Sequence, residues 1–166
     1  MLITIKKCLF IRGNSASGKT TLAKLIRDQA PCSAFLISQD TVRREMLACK
    51  DGPATPALSI LQEMLAIGHR EFELVIVEGI LRSDWYAPLF QQARDLYQEN
   101  VLAYYFDLSF EETLLRHETK PQAREYGEDV LRSWWLEKDY SSYLREELID
   151  RTSTLEEIVE IILRKL

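Results

Sequence analysis

Near the amino end, Gly13-Asn14-Ser15-Ala16-Ser17-Gly18-Lys19-Thr20 spaces two glycines, a lysine and a hydroxyl as G-x-x-x-x-G-K-[ST]. Gly13 and Gly18 permit backbone angles closed to other residues. Successive amides along Gly13, Asn14, Ser15, Ala16, Ser17, Gly18, Lys19, Thr20 and Thr21 can therefore converge on phosphate oxygens. The apolar run Cys8-Leu9-Phe10-Ile11 leads into this loop, and a helical pattern leaves it at Lys19. A helix starting there adds unpaired N-terminal amides and the positive end of its dipole. Lys19 is placed to reach β- and γ-phosphates, and the Thr20 hydroxyl to ligate the Mg²⁺ that accompanies them. The spacing implies a bound nucleoside triphosphate, with ATP and Mg²⁺ as the expected pair.

Chemistry on that triphosphate needs a base and further charge. Asp40 ends an apolar run as Ser38-Gln39-Asp40 and is placed to take the proton of an attacking hydroxyl. Because a helical pattern follows, Asp40 also reads as an N-cap, and the two roles are compatible. Arg43 lies one turn on, where it can clamp a polar group of the acceptor, whereas Arg44 reads as a surface residue. Glu78, in Val75-Ile76-Val77-Glu78-Gly79, reads either as an acid helping to hold Mg²⁺ or as a solvated strand-end carboxylate. Gly79 suits close approach of a substrate to the backbone. Asp107 reads as part of a turn or cap.

Arg116, Lys120 and Arg124 lie in or beside an irregular, charged stretch with Pro121 and Gly127. Such a stretch suits a lid, about 117–140, that brings cations over the transferring group. Arg116 also stands four residues after Glu112, the spacing of a helical ion pair. For Lys120 and Arg124 a solvated-loop reading stands level with the lid. His69 and His117 have no partners at metal-ligand spacing and read as surface or structural, and Trp134 and Trp135 read as anchors for the lid's return helix.

The elements that must carry these groups follow from periodicity. Apolar runs at 8–11, 34–37, 74–77 and 101–106, with a weaker one at 147–149, alternate with helical patterns. Strands so interleaved imply an α/β fold with one parallel sheet covered on both faces, its ligand crevice at the carboxyl ends of the strands. Ser109–Glu112 and Ser153–Glu156 both read as capping boxes. Asp51–Pro56 reads as a mobile loop between two helices. With 166 residues the chain suits a single domain, 1–166. A net charge of −5 excludes a general basic surface for nucleic acid, although not local binding of a strand end. The three cysteines, with no C-x-x-C spacing, read as reduced thiols. No apolar stretch reaches membrane-spanning length and no secretory leader is visible, so the chain reads as cytoplasmic, a monomer or homodimer without membrane contact.

The loop Gly13–Thr20, Asp40-x-x-Arg43, the segment Val75–Gly79 and Phe106-Asp107-Leu108-Ser109-Phe110-Glu111-Glu112-Thr113 through Arg116 together resemble the small P-loop kinases. That group includes zeta-toxin-like kinases, polynucleotide 5′-hydroxyl kinases and chloramphenicol phosphotransferases; similar chains also carry the label uridine kinase. The resemblance runs nearly end to end. It implies a P-loop NTPase fold with sheet order 2-3-1-4-5 and a lid between strands four and five. It also makes Lys19, Asp40 and Arg116 catalytic, puts Arg116 and Arg124 on ATP, and sets the Asp150–Ser153 turn near the adenine. The activity it implies is ATP- and Mg²⁺-dependent transfer of a phosphoryl group to the hydroxyl of a small-molecule acceptor. Kinases of toxin or polynucleotide type, and a non-catalytic nucleotide-binding protein, are the alternatives. A guanine-specific switch is disfavoured, because Thr119-Lys120-Pro121-Gln122 lacks the Asp that binds the base.

Overall fold

A computed structural model describes residues 5–166. Five strands form one sheet: β1 Lys7–Gly13, β2 Ala34–Ser38, β3 Leu74–Gly79, β4 Val101–Phe106 and β5 Glu146–Ile149. All neighbours pair in parallel, in the order β2-β3-β1-β4-β5. Between the strands run α1 Lys19–Gln29, α2 Pro56–Glu71, α3 Ala87–Tyr97, α4 Phe110–Glu118 and α5 Glu128–Trp134, and α6 Leu155–Leu163 closes the chain. The five strands read from the apolar runs are therefore present, each reaching the same site-bearing end of the sheet.

Alternation along the central strand divides the core. Cys8 and Phe10 of β1 pack with Leu61 and Leu65 of α2 and with Leu89, Phe90 and Ala93 of α3. Leu9 and Ile11 face the other way, against Leu22 and Ile26 of α1 and Ile158 and Ile162 of α6. Both faces are dry because parallel crossovers put helices on each. Among the described residues no helix is long and apolar enough to cross a membrane.

Three local expectations change. The final capping box is built by Thr154 and Glu157, one residue later than expected. Asp150 holds the turn before it, accepting from the amide of Thr152 at 2.8 Å and its hydroxyl at 2.5 Å, so the helix begins at Leu155. At α4 only half the box forms: Ser109 Oγ accepts from the Glu112 amide, while the Glu112 carboxylate turns to Arg116. Asp40 is not a cap. It already has helical angles, φ −65° and ψ −40°, and makes no capping bond. The chain there winds as a π-turn, Thr41–Met46, with the Leu47 amide donating to the Val42 carbonyl. The break at Asp51–Pro56 does separate this turn from α2, but Asp51 anchors it to buried groups.

Just before the phosphate loop, β1 carries a charge into the core. Arg12 has no solvent exposure. Its Nε and Nη2 donate to the Leu81 carbonyl at 3.1 and 2.9 Å. Nη2 also reaches Asp139 Oδ2 at 3.1 Å, and Nη1 reaches Glu146 Oε1 at 2.5 Å. Breaking a buried pair leaves uncompensated charge behind. Arg12→Ala is therefore expected to cost about 3–5 kcal/mol in urea unfolding. Arg12→Met, apolar and of similar reach, should cost as much, because Asp139 and Glu146 still lose their partner.

Candidate active site

At the end of β1 the chain turns through Gly13–Gly18 into α1, and Gly18 sits at φ 104°, left-handed backbone that a side chain would strain. Ala16 is also left-handed, at φ 61°, an uncommon state for a residue with a Cβ. Lys19 folds back into the loop, donating to the Asn14 carbonyl at 2.6 Å and lying 3.3 Å from Ser17 Oγ. Burial lowers its pKa to about 8, against the opposing pull of Glu78 and Asp40. The loop is thus a ring of backbone donors with one cation at its mouth.

Glu78 is nearly fully buried. Its Oε1 accepts from Thr20 Oγ1 at 3.2 Å and from Ser38 Oγ at 2.6 Å. Ser38 gave no signal in the sequence, because only the β2–β3 register, which sets Ser38 opposite Glu78, brings them together. Two hydroxyls and a carboxylate form an all-oxygen donor set beside the loop. Such a set suits Mg²⁺, which keeps several waters and takes few protein ligands beside the phosphates. Among the described residues no group of three or more His, Cys, Asp or Glu gathers for a metal.

A crevice of about 690 Å³ opens over the loop. Ser15, Ala16, Gly18, Lys19, Thr20 and Thr21 form its floor, with Asp40 and Glu78 on one wall and Lys120, Glu125 and Tyr126 on the lid side. Asp40 is well exposed and receives Arg43 Nη2 at 3.0 Å and Arg44 Nε at 3.5 Å. The two arginines exchange their expected places. Arg44 lines the crevice, whereas Arg43 is mostly buried and donates from its other end to the Cys49 carbonyl. The π-turn causes this, because it widens the turn and carries residue 43 inward.

Arg116 makes the expected contact with Glu112, 3.3 Å from Oε1, and simultaneously donates Nη1 to the Ser17 carbonyl at 2.8 Å. It therefore already touches the phosphate loop. Lys120 lines the crevice, with its pKa lowered by burial and by Arg116. Arg124 is exposed on the short turn Pro121–Arg124, away from the crevice lining. His117 is structural and not superficial: it is buried, stacks on Tyr126 and bonds its carbonyl. Trp134 packs edge-on against Tyr126 and Trp135 against Phe110, so both tryptophans anchor this segment by packing.

Gly79 lines the crevice and has a second constraint that its sequence did not suggest. A Cβ there would lie 2.4 Å from Gln39 Oε1, so the bare backbone also makes room for Gln39. Asn14 was also read only as one amide of the cradle. Its side chain pairs with the backbone of Leu136, donating to the carbonyl at 2.7 Å and accepting from the amide at 2.8 Å.

Comparison with known proteins agrees with this arrangement. No curated protein sequence matches the chain. Among solved structures, a gluconokinase from Sinorhizobium meliloti superposes with a TM-score of 0.67 at 18% identity, covering 98% of this chain and 93% of its own. An APS kinase from Mycobacterium tuberculosis, solved with AMPPNP and APS, gives 0.64 at 16% identity, covering 98% of both chains. Shikimate kinase from Acinetobacter baumannii, solved with shikimate, gives 0.60 at 15%, covering 97% and 93%. At these identities the likeness is one of fold. A family model described as an AAA domain matches residues 9–137, from β1 through the lid. That match spans the phosphate loop, the Asp40 turn, Glu78 and Arg116, and the chain belongs to the AAA-domain family.

Proposed function

We propose that this chain is a kinase that transfers the γ-phosphoryl group of ATP, as its Mg²⁺ complex, to a hydroxyl of a small molecule. The observation carrying this reading is a carboxylate, Asp40, on the wall of a crevice whose floor is a phosphate loop. A pure nucleotide-binding module has no use for an exposed acid held there by two arginines. Several structural neighbours are themselves named kinases of small molecules, which supports the reading.

In this mechanism the amides of Gly13–Thr21 and the Lys19 ammonium bind the triphosphate. Thr20 and Glu78 would hold Mg²⁺, with Ser38 orienting Glu78, and the ion would supply charge neutralisation at the phosphates. Asp40 accepts the proton of the acceptor hydroxyl as its oxygen attacks the γ-phosphorus and the bond to the β-phosphate oxygen breaks. Arg116 and Lys120 add positive charge beside the transferring group, where negative charge must be stabilised in the transition state.

Beyond the loop the crevice is lined by Asp40, Glu45 and Glu125 against Arg44 and Lys120, and Arg44 leans on Asp40 and over the Trp134 ring. This balance favours a neutral or amine-bearing hydroxyl compound over an anionic one. Such an acceptor belongs with the sugar-, nucleoside- and antibiotic-modifying members of the resembling group.

A screen of Mg²⁺-dependent ATP consumption over neutral, amine-bearing and acidic hydroxyl compounds tests the whole reading. Neutral or amine-bearing compounds should give the highest kcat/KM. An acidic acceptor in first place would overturn the charge argument. Phosphorylation of 5′-hydroxyl oligonucleotides alone would move the chain to the polynucleotide-end kinases. Turnover no greater than that of Lys19→Ala would end the kinase reading.

Two variants test the roles. Asp40→Asn should lower kcat by about 10²–10⁴ while leaving ATP affinity near wild type. Lys19→Ala should lower kcat by about 10²–10³ and weaken nucleotide binding as well.

The lowered pKa of Lys19 sets a pH dependence. Burial favours its neutral amine, while a triphosphate favours the ammonium and raises the pKa on binding. Affinity for a non-hydrolysable ATP analogue should therefore be flat below the free-state value of about 8. Above it, affinity should fall by up to about tenfold per pH unit, with proton uptake on binding. Calorimetry from about pH 7 to about 9.5 reads this directly, and Lys19→Arg should abolish the slope.

A further inference from the structure

We propose that Gln39, Tyr86 and Asp51 form a buried positioning relay that fixes Asp40 relative to Glu78, so that kcat depends on groups that never touch a substrate. The inference rests on the phosphoryl-transfer reading above, with Asp40 as base.

The last paired residues of β2 and β3 are Ser38 and Glu78. Beyond them the strands part: β2 passes through Gln39 and Asp40 into the π-turn Thr41–Met46, and β3 runs on through Gly79. The Gln39 side chain closes the opening between them. It is 2% exposed, and all its bonding atoms are engaged. Oε1 accepts from the Leu81 amide at 3.0 Å, and Nε2 donates to Asp51 Oδ2 and to Tyr86 Oη, both at 2.8 Å. Tyr86, fully buried, donates its hydroxyl to Asp51 Oδ1 at 2.6 Å, which closes a three-membered ring of bonds.

Two backbone features exist to admit this side chain. Gly79 leaves out the Cβ that would collide with Gln39. Leu81 takes a left-handed φ of 45°, uncommon for a buried branched residue, and in that conformation its amide meets Oε1. Such strain persists only where the surroundings hold it. The other end of the relay holds the loop before α2, because the Asp51 carboxylate also accepts from the Gly52 amide. From that loop the Cys49 carbonyl accepts from Arg43, which in turn holds Asp40. Asp40 is thus set from two sides, through the chain from Gln39 and through Arg43. Among the described residues no cation pairs with Asp51, so Tyr86 and Gln39 are what steady its charge. Burial and Asp51 together push the Tyr86 hydroxyl's pKa far up, which keeps it a donor.

The test compares Tyr86→Phe and Asp51→Asn with wild type in Mg²⁺-dependent ATP turnover. The acceptor is the one found by screening or, lacking one, water. Tyr97→Phe is the control: this tyrosine is just as buried, but its hydroxyl has no partner. Both relay variants should lose on the order of tenfold in kcat with the KM for ATP within about twofold, because the phosphate loop is untouched. Tyr97→Phe should turn over as wild type does. Should Tyr86→Phe fail to fold, Asp51→Asn, in a half-buried loop, carries the comparison alone. Unchanged kcat in a folded relay variant overturns the relay and leaves the kinase reading standing. A loss in kcat that Tyr97→Phe shares, or that comes with an equal loss of ATP affinity, overturns it too, as general softening. If wild type shows no turnover above Lys19→Ala, the kinase reading fails first and takes the relay with it.

Discussion

A guanidinium withdrawn from water must be met by acceptors on every side, and Arg12 is met by three parts of the chain at once. The carbonyl of Leu81 beyond β3, the carboxylate of Asp139 near the end of the 117–140 segment, and Glu146 of β5 all converge on it. The Phe90 and Tyr105 rings lie 5.1 and 5.5 Å from its central carbon. One side chain, a single residue before the phosphate loop, thus decides where the β3 turn, the end of the lid and the edge strand sit. Desolvation makes the arrangement unforgiving, since no solvent compensates a missing partner. The crevice inherits its geometry from that constraint: the Leu81 bend serves both Arg12 and Gln39, and the segment that holds Asp139 also carries Leu136.

The crevice itself separates its tasks by chemistry. Backbone amides and Lys19 form the floor, the oxygens of Thr20, Ser38 and Glu78 gather beside it, and the exposed Asp40 carboxylate stands on the wall. In a parallel sheet all of these lie at the carboxyl ends of neighbouring strands, so no long-range rearrangement is needed to assemble them. The lid contributes from outside the sheet, packing its own aromatic cluster around His117, Tyr126 and Trp134.

Much of this was legible in the chain before any fold was known, because local rules govern those parts. Five apolar runs gave five strands, the glycine-lysine spacing located the loop, and the Glu112–Arg116 spacing gave the ion pair that forms. What stayed hidden depends on register or on three-dimensional closure. Ser38 meets Glu78 only through strand pairing. Arg12 looked like the residue that ended an apolar run, and a charge inside a strand becomes sensible only once Asp139 and Glu146 are beside it. Arg43 and Arg44 exchanged places because a π-turn, which no periodicity announces, replaced an α-helical one. The capping box moved one residue because Asp150 and Thr152 tied the turn before it. Gly79 lines the crevice, but the room it also leaves for Gln39 was hidden.

The pairing of the Asn14 side chain with the Leu136 backbone has one more implication. A side-chain amide that bonds both an N–H and a C=O of one residue copies a strand contact, and here it fastens the far end of the 117–135 arm to the phosphate loop itself. A flap pinned at both roots has few ways to move. Its base is held in register with the phosphate loop. The entropy of ordering such a flap is largely spent when the chain folds, so little of a ligand's binding energy is consumed in closing it.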